Sequence, residues 1–165
     1  MKKTAVFGML VGIALALSWL ESMIGLTPGI PGIKLGLPNL IVVFCLYRYG
    51  ERTALGINLL RILLVSFLFS GMYGMLYSLA GALLSFAAMA VAKRRMGLSM
   101  IGVSVCGGVF HNIGQLLTAM CIIRSVWAVF YLPWLLLAGC LTGIAIGVLA
   151  REICRRLPEG QNLGG

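Results

Sequence analysis

Arg61 is the residue in this sequence most able to act on a ligand, because it places a charge in apolar surroundings. It lies about eight residues from either end of the run Thr53–Phe69. An ionised group so deep in a membrane helix costs at least about 2.5–3.5 kcal/mol, so we expect Arg61 to face a bundle interior and to have a partner. The chain contains no Asp, and Glu21 is the one Glu placed to reach it.

Several hydrogen-bonding side chains are spaced to join Arg61. Asn58 precedes it by three residues and therefore shares its helical face. A second polar stripe, with residues three or four apart and Asn112 beside it, consists of Ser104, Gly108, His111, Gln115 and Thr118. If the two stripes meet, Arg61 anchors a site for an anionic or polar-headed molecule. Alternatively, these groups satisfy one another and hold the helices together.

No catalytic constellation accompanies these residues. His111 is the only histidine, and the five cysteines are scattered without a CxxC pair. Neither acid–base catalysis nor a metal site follows from such a set. We therefore predict no catalytic residues, no metal ligands and no cofactor, and a protein that is not an enzyme.

The elements that must position these groups are membrane helices. With 61% hydrophobic and 10% charged residues, a soluble globule would be coated with apolar surface and would aggregate. The sequence predicts an all-α integral membrane protein with six transmembrane helices in one domain, residues 1–157, followed by a disordered tail, 158–165. The predicted helices are Thr4–Leu20, Leu37–Tyr47, Thr53–Phe69, Met72–Ala92, Gly97–Ile122 and Ala128–Ala150.

The basic residues predict the orientation of these helices. Six crossings place Lys34 and Arg124 on one side of the membrane. The other side then holds Lys2, Lys3, Arg48, Arg52, Lys93, Arg94, Arg95, Arg151, Arg155 and Arg156. Because positively charged short loops stay inside the cell, both termini are predicted to be cytoplasmic, in a cell-membrane protein. The formal charge of +9 is then explained by lipid headgroups, and no nucleic acid is expected as a partner.

One segment interrupts the helical pattern. Residues Gly25–Asn39 contain three prolines and four glycines, which exclude a continuous helix. The helix after it, at about 17 Å, is also too short to cross about 30 Å of hydrocarbon. We expect either a broken crossing that lines a cavity or a loop in the membrane interface. In the first case the segment gates the site through Pro28, Pro31, Lys34 and Pro38. The candidate substrate-binding residues are Arg61, Asn58, His111, Asn112, Gln115 and Asn39.

Small residues repeat every four positions on the first helix, at Gly8, Gly12 and Ala16. Such a pattern lets another helix approach closely. With 22 glycines in the chain, the contact could lie within the bundle or with a partner helix.

Four sequence runs resemble the bacterial Gx transporter family, which also carries the label heptaprenyl diphosphate synthase component I. They are GIKLGLPNLIVVFCLYRYGE (32–51), NLLRILL (58–64), SLAGALLS (78–85) and IGVSVCGGVFHNIGQLL (101–117), and the likeness extends over roughly residues 5–155. More remotely, the predicted architecture is similar to that of the substrate-binding S components of energy-coupling-factor transporters.

The resemblance implies a membrane-embedded substrate-binding subunit for a small vitamin-like or anionic molecule. Its partners would be a transmembrane T component, docked at Gly8, Gly12 and Ala16, and separate ATPase subunits. The family label implies an alternative, a non-catalytic accessory subunit of isoprenoid synthesis, because a chain without Asp lacks the Asp-rich motifs that hold Mg²⁺ in prenyl synthases. An assembly or scaffold protein is the third reading.

Overall fold

The computed structural model of the chain describes residues 2–24 and 36–157, and over these ranges it contains helices and no strand. Two short segments, the π-helical turn Ser66–Ser70 and the 3-10 helix Val126–Tyr131, connect longer helices. The α-helices are α1 (Lys2–Ile24), α2 (Leu37–Arg48), α3 (Glu51–Val65), α4 (Gly71–Arg94), α5 (Met100–Ile123) and α6 (Leu132–Arg156).

Four helical stretches are long and apolar enough to cross a membrane. They are Thr4–Met23, Glu51–Arg94, Met100–Ile123 and Val126–Arg156, while α2 is apolar but short. This confirms the predicted all-helical membrane protein, and the number of crossings remains a prediction. The predicted tail, 158–165, lies outside the described residues.

The stretch Glu51–Arg94 folds back on itself. Its 44 residues would extend about 66 Å as one straight helix, yet the guanidinium of Arg94 donates two hydrogen bonds to the Glu51 carboxylate. The reversal occurs at Gly71, whose φ of 64° and ψ of −174° are accessible essentially only to glycine. α3 and α4 therefore form an antiparallel pair.

Most of the basic residues gather at one end of the bundle, which we call the basic end. There Lys93 Nζ donates to the Leu46 carbonyl over 2.6 Å, and Arg48 Nη2 donates to the Leu157 carbonyl over 3.4 Å. The first turns of α1 reach the same end, since Phe7 packs beside Gly56 near the start of α3. One side of the fold thus holds the start of α1, the end of α6 and the two turns that contain Arg48 and Arg94.

Helix α2 is enclosed by the other helices. Six consecutive residues, Ile41–Leu46, are buried, and α2 contacts α1, α3, α5 and α6. A helix that is apolar on every face is stable only inside a protein or in lipid. Because protein surrounds it, α2 has no need to match the full hydrocarbon thickness.

Glycine contacts join α4, α5 and α6 into a close-packed unit. A Cβ atom added to Gly108 of α5 would lie 2.4 Å from the carbonyl oxygen of Gly139 on α6, and one added to Gly114 would lie 2.7 Å from the Ala80 carbonyl oxygen on α4. Small residues of this kind let membrane helices pack backbone to backbone. By contrast, α3 and α4 contact each other sparsely.

Several predicted helix boundaries are wrong by three or more residues: α1 ends four residues later, α3 four residues earlier and α6 six residues later than predicted, and the starts of α5 and α6 are also shifted. Gly97 has a positive φ of 59°, and α5 begins only after Ser99, whose hydroxyl accepts a hydrogen bond from the Gly102 N–H. The last helix begins at Leu132, with Pro133 in its first turn, a position proline favours.

Candidate functional site

A polar cavity of about 70 Å³ lies inside the bundle. All six α-helices contribute to its wall. The lining residues are Glu21, Gly36, Pro38, Asn39, Asn58, Arg61, Ser78, Ala82, Ser85, Gly108, His111, Asn112, Thr142, Gly143 and Ile146. Helices α1–α3, which pack through larger apolar side chains, form one side, and the glycine-packed helices α4–α6 form the other.

Arg61 supplies the permanent positive charge in this cavity. Its Nη2 donates to Asn58 Oδ1 over 2.7 Å, and its Nη1 donates to Ser18 Oγ over 3.3 Å. The buried Nε has no hydrogen-bond partner among the described residues. An orphaned donor on a charged group costs the desolvation free energy of that group unless a ligand or water accepts its hydrogen bond.

The nearest carboxylate is already engaged. Glu21 lines the same cavity, and its carboxylate charge is opposite to that of Arg61. Its Oε1 accepts a hydrogen bond from the backbone N–H of Gly36, just before α2. Glu21 therefore balances the charge of Arg61 without occupying its free donor.

The polar stripe of α5 faces the cavity only in part. His111 and Asn112 line it, and Asn112 Nδ2 donates to the Leu135 carbonyl of α6 over 2.7 Å. Gln115 is buried but is absent from the lining, because its side chain packs with His111 against Gly81 of α4. The structure thus brings Arg61, Asn58, His111 and Asn112 together and places Gln115 beside them.

The broken segment before α2 is described only at its end. Pro38 and Asn39 lie in the first turn of α2 and line the cavity. Asn39 is held there by its backbone N–H, which donates to the Gly36 carbonyl over 2.8 Å. The other candidate gating residues, Pro28, Pro31 and Lys34, lie outside the described residues.

The small residues of α1 do not pack within the described bundle. Gly8, Gly12 and Ala16 are exposed, and a Cβ atom added at either glycine would meet nothing within 4 Å. Of the two alternatives that the sequence left open, a contact within the bundle is therefore not formed by these glycines. The four-residue spacing used inside the fold is that of Gly139, Gly143 and Gly147 on α6.

Three hydroxyl groups of the cavity were missed from the sequence. Ser78 and Ser85 are seven residues apart on α4 and so share one face, while Thr142 lies on α6. The spacing of the two serines was a usable signal. Thr142 stands alone among apolar and small residues of α6, so the sequence carried no signal for it. In the structure its hydroxyl donates to the Ala138 carbonyl of the same helix.

No group of three or more His, Cys, Asp or Glu side chains converges in residues 2–24 and 36–157. The cavity offers instead a guanidinium, a carboxylate, three amides, an imidazole and several hydroxyls around a small volume. The guanidinium, amide and hydroxyl donors suit a small polar or anionic group that accepts hydrogen bonds.

A family model described as heptaprenyl diphosphate synthase component I matches residues 10–153. No curated protein and no solved structure matches the chain.

Proposed function

Since the chain belongs to the heptaprenyl diphosphate synthase component I family, we propose that it is a non-catalytic membrane subunit of heptaprenyl diphosphate synthesis. The observation that carries the proposal is the Arg61 guanidinium, which lines the polar cavity and whose buried Nε has no hydrogen-bond partner among the described residues. A phosphate oxygen is a suitable acceptor for that donor, because guanidinium and phosphate form strong charge-assisted hydrogen bonds.

The size of the cavity favours a head group over a complete small molecule. Binding sites for drug-sized ligands usually measure about 300–1,000 Å³, whereas this cavity measures about 70 Å³. A vitamin-like ring would require the helices to separate. A phosphate-sized group on a longer apolar molecule requires much less.

The chemistry of prenyl transfer belongs to a second protein in this proposal. Prenyl synthases hold Mg²⁺ with clustered carboxylates, which hard cations require. The present chain has four acidic residues in total, all of them Glu, and two of these, Glu51 and Glu152, bind arginines at the basic end. Its contribution would be to hold an isoprenoid substrate or product at the membrane.

We place the basic end in the cytoplasm, with six crossings and both termini on that side. The excess of Lys and Arg at this end supports the orientation, and the contact of Arg94 with Glu51 supports two separate crossings by α3 and α4. A soluble catalytic partner would then meet the turns around Arg48 and Arg94.

A substrate-binding subunit of an energy-coupling-factor-type transporter is the second candidate. The outward-facing Gly8, Gly12 and Ala16 of α1 favour it, because a surface of small residues suits a partner helix. The partners would then be a transmembrane T component and ATPases, with a small anionic molecule as substrate.

Purification from native membranes after mild cross-linking separates the two candidates. We expect a soluble Asp-rich prenyl synthase to copurify, and copurification of a T component with ATPases would favour the transporter. Prenyl chain synthesis should then be measured with this partner in liposomes, with and without the present chain. Equal synthesis in both samples would contradict the accessory role.

The variant Arg61→Gln tests the cavity in the same assay. Loss of a hydrogen bond to a charged group costs about 1.5–3 kcal/mol, so we expect the stimulation of synthesis to require roughly 10- to 100-fold more substrate. Arg124→Gln is the matched control, because Arg124 is exposed at the end of α5 and far from the cavity lining. Equal behaviour of the two variants would refute a role for Arg61.

A further inference from the structure

A second, larger opening lies between the end of α3 and the start of α4. It measures about 510 Å³ and is lined by Leu64, Ser66, Phe67, Gly71, Met72 and Met75, among others. We call it the α3–α4 crevice. Phe67 and Met72 are 92% and 75% exposed, so the crevice opens toward the lipid rather than into the bundle.

The helical register places this crevice next to the polar cavity. Leu64 follows Arg61 by three residues on α3, and Met75 precedes Ser78 by three residues on α4. Residues three apart are neighbours on one helix surface, about one turn from each other. The polar cavity and the α3–α4 crevice are therefore neighbours along the interface between α3 and α4, which we call the α3–α4 seam. This interface is polar near its middle and apolar toward the α3–α4 turn.

A comparable crevice elsewhere has no such connection. Between α4 and α5, an apolar opening of about 580 Å³ is lined by Leu83, Ala87 and Leu117, among others. The backbones of Gly81 and Gly114 touch behind it, since a Cβ atom added at Gly114 would lie 2.8 Å from the Gly81 Cα. This contact separates the α4–α5 crevice from the polar cavity.

The α3–α4 seam, in contrast, is held at its ends more than along its length. Arg94 and Glu51 join the two helices at the basic end, and the π-helical turn with Gly71 joins them at the other. π-Helical turns often accompany functional sites in helices. α3 and α4 contact each other far less than α4 and α5 do.

From these observations, which rest on the proposed function, we infer that the site binds a prenyl diphosphate in two parts. The phosphate head binds the Arg61 guanidinium in the polar cavity, and the isoprenoid chain leaves along the α3–α4 crevice into the bilayer. The Arg61 guanidinium at one end and the apolar walls at the other argue for this occupant. The α4–α5 crevice takes no part.

Ligand binding to the full chain in phosphatidylcholine nanodiscs tests the inference. The probes are radiolabelled farnesyl and geranylgeranyl diphosphate, with inorganic diphosphate and phosphatidylglycerol as competitors. We expect tighter binding of the longer chain, weak competition by inorganic diphosphate and none by phosphatidylglycerol. Affinity that is independent of chain length, or equal competition by phosphatidylglycerol, would overturn the prenyl assignment.

Two tryptophan substitutions test the path of the chain. Met75→Trp narrows the α3–α4 crevice and should weaken geranylgeranyl diphosphate binding by at least about tenfold. Leu83→Trp fills the α4–α5 crevice and should change binding less than twofold. Equal effects of the two variants would refute the path.

Photolabelling of the unmodified chain keeps the inference testable if Met75→Trp does not fold. Geranylgeranyl diphosphate with a diazirine on its terminal unit should label the peptide that spans residues 64–75. Label confined to Leu83 or Leu117 would assign the chain to the other crevice. Failure of the accessory role would appear instead as a missing synthase partner, with prenyl diphosphate binding unaffected.

Discussion

Replacing Gly108 with alanine tests how far the cavity depends on the close approach of α5 and α6. The new Cβ atom would lie 2.4 Å from the Gly139 carbonyl oxygen. Because non-bonded contacts are optimal near 3.5 Å, the two backbones would have to separate by roughly 1 Å. Overpacking of this kind costs about 1–3 kcal/mol. The separation would also move Thr142 and Gly143, which line the cavity with Gly108.

The matched control is Gly12→Ala on α1, where an added Cβ atom meets nothing within 4 Å. Both changes gain about 0.5–1 kcal/mol of helix propensity, so the difference between them isolates the packing cost. Thermal unfolding in detergent, followed by circular dichroism, should give Gly108→Ala a Tm lower than that of Gly12→Ala, by about 2–4 °C for each kcal/mol. Equal Tm values would refute the claim that these backbones are in contact.

Three further outcomes follow from the structure. Asn112→Leu removes the hydrogen bond to the Leu135 carbonyl and should destabilise the fold by about 0.6–1.7 kcal/mol, the range measured for hydrogen bonds between membrane helices. A larger loss of unfolding free energy in chemical denaturation would mean that Asn112 has a further structural role. Gly71→Ala should cost about 1–3 kcal/mol through backbone strain alone, since no atom lies within 4 Å of the added Cβ; an unchanged Tm would contradict the reversal at this residue. With the native cysteines replaced, Arg95→Cys and Arg124→Cys should react with an impermeant thiol reagent from opposite membrane faces, and labelling from the same face would contradict six crossings.

Much of the fold follows from local sequence signals. Apolar runs bounded by basic residues give the helices, and the three-residue spacing of Asn58 and Arg61 already places the amide beside the guanidinium. These relations depend on helical geometry within one segment. For the same reason, the sequence indicates that Arg61 faces inward.

The relations between helices are less accessible from one sequence. Gln115 lies on the predicted polar stripe, yet the contact of α5 with Gly81 directs it away from the cavity lining. Thr142 reaches the cavity because glycines bring α6 close to α5. The apolar composition of α6 does not indicate which of its faces makes this contact. The crevice beside α3 likewise depends on how α4 turns back at Gly71.

The burial of α2 among four other helices has a consequence for biogenesis. At 12 residues, or about 18 Å, this helix is too short to be retained as an independent span during membrane insertion. It can take its final position only after the neighbouring helices that bury Ile41–Leu46 have been inserted. Maturation of the protein would then proceed in two stages, and a nascent chain released before α5 and α6 emerge would leave α2 at the membrane surface as a substrate for quality-control proteases.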